Sequence, residues 1–348
     1  MPIVSISTSD PCFIVSRTLT WTQAVLTGLA LFLLALPASS SADMGGIFLG
    51  RNVSVHEPGQ KAIIAHDGTE EVLILGTDLI SSGQTKVLRF IPLPAEPRVT
   101  LAGKETFARL QNILDRHGLR YLRQRKIGGL ARPKAPGGPV ELRFHKRLGA
   151  HDISVVRVHR VEHFASWVSG TFKGLGFETR PLSSQEVAVV RDYVQRGIRF
   201  FVFDLVQLNG ETVSVDPLVY RFPSRRLYYP LKATNLFGGR GRIELYVFSD
   251  RGACYPFLEH MVQEGGQSPS IWWTATSTAT EVTGKEMAAV DPALRDLLGA
   301  NAKLRAFMRE GLLQFDQDIM ISTPLPSPRV PAISPFPLRV PKAPLQPE

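Results

Sequence analysis

Four histidines, His145, His151, His159 and His163, fall close together in this chain. Imidazole is the commonest metal ligand and general base, so they are the first place to look for chemistry. His159 and His163 are four residues apart, a spacing that would align two imidazoles on one helix face toward a zinc ion. The residues between them are Arg160, Val161 and Glu162, so the glutamate of an HExxH motif is missing. The local pattern also puts His159 at a strand end. The four read as surface or strand-end histidines, and no metal or other cofactor is expected.

Cys254 is followed six residues later by His260. A thiol nucleophile needs a base within hydrogen-bond reach and a third group to orient it. The surrounding RGACYPF carries no cysteine-protease signature, so a buried, inert thiol is expected. No GxSxG elbow, S-x-x-K pair or P-loop is present, and GGIFLG at 45–50 precedes the first clear strand. Asp204 is the unusual acid. In RFFVFDLVQL it shares parity with Phe200, Val202, Val206 and Leu208, which places a carboxylate on an apolar face. An unpaired buried carboxylate is costly, and an ion pair with Arg221, Arg225 or Arg226 is the expected resolution. No catalytic residue is assigned.

These residues need a scaffold, and the hydrophobic pattern supplies one. KAIIAH, Asp67-Gly68 and EVLILG read as a hairpin, and VLRFIPLP (87–94) as a strand closed by its prolines. In ETFARLQNILDRHG the spacing of Phe107, Leu110, Ile113 and Leu114 predicts a helix ended by Gly118. VELRF and DISVVRV suggest two strands. Val161, Phe164, Trp167, Val168 and Phe172 form one helical stripe. Ser183 and Glu186 make a capping box ahead of Val187, Val190 and Val194. IRFFVFDLVQL is the strongest strand, and Asn209-Gly210 is expected to turn it back as TVSVD in a second hairpin. RIELYVFSD and IWWTATSTATEV supply more strand. Asp291-Pro292 opens a helix that Gly299 ends, and KLRAFMREG is predicted as another helix. Strands and short helices without strict alternation indicate an α+β fold of antiparallel hairpins and sheet.

Residues 24–42, AVLTGLALFLLALPASSSA, have the layout of a secretory signal. Arg17 precedes the run, and Ser40 and Ala42 stand where a signal peptidase accepts small residues, so cleavage is expected between Ala42 and Asp43. The apolar core of 13 residues is shorter than the ~20 that span a bilayer, which makes a permanent anchor the weaker reading. Export (periplasmic, envelope or secreted) argues against nucleic-acid partners and against any transmembrane segment after processing. Of two cysteines, Cys12 lies in the removed segment, so the mature chain keeps Cys254 and forms no internal disulfide. A globular part over 43–322, as one domain or two sub-domains, has the length to hold itself together by burial.

Charge is uneven. The net charge is +9, and residues 118–148 carry nine Lys/Arg against Glu141, or +8. Within this window, 118–139 reads as a flexible basic insertion, with Arg123, Arg125, Lys126, Arg132 and Lys134 as candidate contacts to a polyanion such as lipid headgroups or wall polymers. From Pro324 to Glu348 there are nine prolines in 25 residues, so 323–348 reads as a Pro-rich disordered tail.

Gly45-Gly46, the hairpin at 61–75 and Pro92-Leu93-Pro94 resemble the opening of a bacterial exported family known as domain of unknown function 2330. The Trp167 helix, the Tyr193 helix, FFVFDLVQL and PLVYRFPSRRLYYPLKA (217–233) are similar to that family's middle section. The resemblance covers roughly 44–235. It departs at Met44, where the family has Cys, and at Phe90, where it has Trp; any pairing or attachment role of that Cys is absent here. The resemblance implies fold and compartment and passes on no catalytic residues. The sequence therefore points to a non-enzymatic binding or structural module of the cell envelope. Its alternatives are a polyanion or membrane-surface binder acting through 118–148, and a hydrolase with an unrecognised site.

Overall fold

The alternation on either side of Asp67 folds as a hairpin of β2 (Val55–His66) and β3 (Glu70–Ser81). Asp67 Oδ1 accepts from the Thr69 and Glu70 backbone N–H groups at 2.7 and 2.8 Å, so the turn is closed by its own side chain. The computed structural model describes residues 45–48, 55–121, 141–148, 151–174, 181–209, 212–236, 240–249, 273–276 and 278–322.

Two large sheets carry the fold. In the first, β1 (Gly45–Phe48), β4 (Gln84–Leu93), β8 (Phe200–Asn209), β7 (His151–Arg157) and β6 (Glu141–Leu148) lie side by side in that order, all antiparallel. In the second, the order is β12 (Trp273–Ala275), β14 (Asn301–Leu312), β11 (Arg240–Ser249), β2, β3, β9 (Thr212–Pro223), β5 (Arg98–Leu101), with β13 (Thr280–Thr283) beside β12 on the free edge of β14. Its pairing is antiparallel except between β2 and β11. A small third pair joins β10 (Arg226–Tyr229) to β15 (Ile319–Ser322). This is the α+β arrangement that the sequence indicates.

Helices cover both outer faces. Leu110, Ile113 and Leu114 of α1 (Thr106–Arg116) pack on Ile63, Ala65, Val72 and Ile74 of the second sheet. Two short helices, α4 (Gly284–Val290) and α5 (Pro292–Leu298), join them there through Met287, Val290 and Leu294. On the first sheet, Phe164 and Trp167 of α2 (Phe164–Gly174) and Tyr193 of α3 (Ser184–Gln195) meet Phe201 and Phe203 of β8. Both helix starts that were legible form: Ser183 N donates to Glu186 Oε2 at 3.3 Å, and Asp291 Oδ1 accepts from Ala293 N at 2.9 Å. No helix among the described residues is long and apolar enough to cross a membrane.

Two sequence expectations fail. Asn209-Gly210 does not turn a hairpin. Its flanking strands go to different sheets, β8 between β4 and β7, β9 between β3 and β5. β8 is apolar on both faces and takes both edge partners from elsewhere in the chain. KLRAFMREG is not a helix either. It lies inside β14, which pairs along ten positions with β11 and on its other side with β12 and β13. Its Lys, Leu, Arg, Ala and Met residues favour a helix in isolation, and a central place in a sheet overrides that preference.

Candidate functional site

The parity that put Asp204 on an apolar face is correct. The carboxylate sits between the two sheets with no solvent exposure. Strand register sets Arg89 of β4 directly opposite it. Arg89 Nη2 donates to Asp204 Oδ2, and His151 Nδ1 donates to the same oxygen at 2.8 Å. His151 Nε2 lies 2.8 Å from the main-chain oxygen of Asp216 on β9. His151 therefore links Asp204 of the first sheet to the backbone of the second. An oxygen acceptor faces each ring nitrogen, so both bonds form only when both nitrogens carry hydrogen.

Burial pushes the Asp204 carboxyl up, but Arg89 and His151 outweigh it and hold the group below the usual carboxylate value. Burial likewise opposes the charge on Arg89, and Asp204 more than restores it, with Glu57 of β2 adding negative potential. Arg89, His151 and Asp204 are all buried, so removing one leaves the others uncompensated, at about 3–5 kcal/mol. Two of the three expected partners are engaged elsewhere. Arg221 pairs with Glu70 at 2.6 Å, and Arg226 Nη1 contacts Met320 Sδ. The ion pair was right in kind and wrong in partner, because Arg89 is 115 positions away in sequence and only the sheet register brings it across.

Two further buried acids hold the small strand pair in place. Glu71 Oε2 accepts from Tyr228 N at 2.7 Å, and burial drives this carboxyl well above its ordinary value. Asp318 accepts from Tyr193 Oη, Lys232 N and Arg196 Nη1, each at 2.8 Å. These bonds fasten the approach to β15 onto α3.

The other candidates disperse. His159 and His163 are exposed, one after the end of β7 and the other in a 3₁₀ turn (Val161–His163), so they share no helix face. His145 belongs to β6, with its side chain outside the described set. Cys254, His260, Ala42, Asp43, Arg123, Arg125, Lys126, Arg132, Lys134 and the 323–348 tail lie outside the described residues. Among the described residues no group of three or more His, Cys, Asp or Glu is arranged to hold a metal.

A second constellation was missed, and it is open to solvent. His117, the last residue of the α1 cap, places Nε2 3.1 Å from Glu286 Oε1 and Nδ1 3.0 Å from Thr280 Oγ1. The other Glu286 oxygen accepts from Thr283 N at 2.9 Å and Thr283 Oγ1 at 3.0 Å, the capping box of α4. Arg116 Nη1 reaches Oε1 at 3.4 Å. Burial raises the Glu286 carboxyl, but the Thr283 backbone bond and His117 hold it below its ordinary value. The His117 side chain is 28% exposed and that of Glu286 16%. The sequence reading did not pick out the Thr283-x-x-Glu286 spacing, the one local signal that could have located part of this group, as a helix start; His117 lies 169 positions from Glu286.

A family model described as "uncharacterized protein conserved in bacteria (DUF2330)" matches residues 38–308, well past the 44–235 of the sequence resemblance. No curated protein matches the chain. Among solved structures, that of a mutated baculovirus P35 after caspase cleavage is similar at 11% identity and TM-score 0.35, covering 76% of this chain and 99% of that one. The caspase-8/P35 complex is similar at 12% and 0.35, covering 76% and 96%. At that TM-score neither likeness carries an argument about this protein.

Proposed function

Since the chain belongs to the DUF2330 family of uncharacterized bacterial proteins, we propose that it is exported and serves as a binding or structural module of the cell envelope whose buried Asp204 and His151 do no chemistry. The observation that carries this reading is the commitment of Arg89, His151 and Asp204 to joining the two sheets. Asp204 and a histidine do meet, the combination a hydrolase would need. They do so with no exposure and, among the described residues, with no hydroxyl bonded to either, so they support the scaffold. The signal-like run at 24–42 supports export.

Native mass spectrometry of the protein recovered from its own compartment tests the reading. Co-purification with an envelope component is the expected result; a monomer that binds no envelope fraction overturns it. The +8 window at 118–148 favours a second reading, contact with anionic surfaces. Vesicles containing anionic lipid distinguish it: binding that falls steeply with salt assigns the contact to this window, and salt-insensitive binding removes it.

A further inference from the structure

The polar contacts at the end of α1 have a direction. Glu286 is ionised, so it can only accept, and His117 Nε2 must carry the hydrogen between them. In the neutral ring that leaves Nδ1 bare, facing the Thr280 hydroxyl at 3.0 Å. A hydroxyl bonded to a basic nitrogen, whose ring is oriented by a carboxylate, is the arrangement that activates an oxygen nucleophile, recognised by geometry rather than by chain order.

Rigid supports hold the three groups. Thr280 opens β13, where it pairs with Leu304 of β14. Gly284 sits so close to the following loop that a Cβ there would lie 2.7 Å from the Gly299 carbonyl oxygen, which fixes the segment joining Thr280 to Glu286. His117 is held by its backbone bond to Ile113 and by α1, whose apolar face is buried. Gly118, at φ 64°, turns the chain away and leaves the ring at the surface. Thr280 is half-buried, and its contact with His117 lies at the exposed surface.

We propose that Thr280, His117 and Glu286 form an acyl-transfer centre that accepts the acyl group of an activated ester or thioester. The Thr280 oxygen bonds to the carbonyl carbon as its proton passes to His117 Nδ1. The bond to the leaving oxygen or sulfur then breaks, and that atom takes the proton from the imidazolium. Thr280 is left as an ester. Water, deprotonated by the same nitrogen, attacks this ester and releases the carboxylic acid and the free hydroxyl. Glu286 holds the ring throughout and stabilises its charge. Arg116, 62% exposed, lies beside the same carboxylate and helps keep it ionised.

This goes beyond the binding reading and is tested separately, since native mass spectrometry answers that question under either outcome here. The full chain is mixed with p-nitrophenyl acetate, following p-nitrophenol release and locating the acetyl group by peptide mass mapping. The expected result is acetyl on Thr280, retained in Thr280→Ser and absent from Thr280→Val. Release is expected to fall about 100-fold in Thr280→Val and in His117→Gln, while their melting temperatures match the wild type. If the same contacts serve only to fasten α1 to α4, release in these variants equals that of the wild type, and the proposal is wrong. Acetyl found only on lysines or on His117 also overturns it.

Discussion

His151 Nδ1 lies 2.8 Å from Asp204 Oδ2, so a buried imidazole and a buried carboxylate on neighbouring strands form one hydrogen-bonded unit between the sheets. The unit is electrostatically closed by Arg89 and mechanically closed by the Asp216 backbone. Its consequences for stability are direct.

Asp204→Ala is expected to cost about 3–5 kcal/mol, because Arg89 and His151 remain buried without their anion. The pH dependence has a definite sign. The folded-state value lies below the unfolded one, so the contribution is complete above the unfolded value and is lost as pH falls through the folded one. Urea melts of the wild type should weaken in acid below the ordinary carboxylate range, and Asp204→Asn should flatten that limb. A cycle combining Asp204→Asn with His151→Leu is expected to return a coupling of about 0.5–3 kcal/mol. Additive effects would mean that the two side chains do not act together.

Glu71 behaves in the opposite sense. Its folded-state value is raised, so the folded protein binds the extra proton, and stability falls as pH rises above the unfolded value. Glu71→Gln keeps an oxygen for Tyr228 N and removes the charge. The variant should be at least as stable as the wild type at neutral pH and lose stability less steeply between acid and neutral conditions. A variant less stable than the wild type at every pH would contradict this.

Trp167 is half-buried, its ring 5.3 Å from that of Phe203, whereas Phe203 itself is 2% exposed. Trp167→Ala is therefore expected to cost about 1–3 kcal/mol, below the ~3–5 of a fully enclosed aromatic, and Phe203→Ala about 3–5 kcal/mol. Chemical denaturation of the two variants gives the order. A larger loss for Trp167 would place it deeper in the core than its exposure allows.

N-terminal sequencing of exported protein should begin at Asp43 and read DMGGI. Material that starts at Met1 and stays with the membrane fraction would refute the processing argument and the export reading together.

What the sequence determined by itself is whatever closes within a few residues. The Asp67 turn, the periodic face of α1 and the Asp291 cap are built from neighbours, and all three could be read directly. Parity even placed Asp204 inside, since alternation along β8 is local. Tertiary structure decided everything that depends on which strand lies beside which. Pairing with β11 made a strand of residues whose own preference is helical. The division of β8 and β9 between two sheets replaced the hairpin suggested by Asn209-Gly210. Register then put Arg89, not a nearby arginine, against Asp204, and the packing of α1 beside α4 brought His117 to Thr280 and Glu286. The physical reason is common to all four. These contacts join residues far apart in the chain, and no turn, cap or periodic stripe encodes them; they exist only once the sheets and helices have buried their apolar faces against each other.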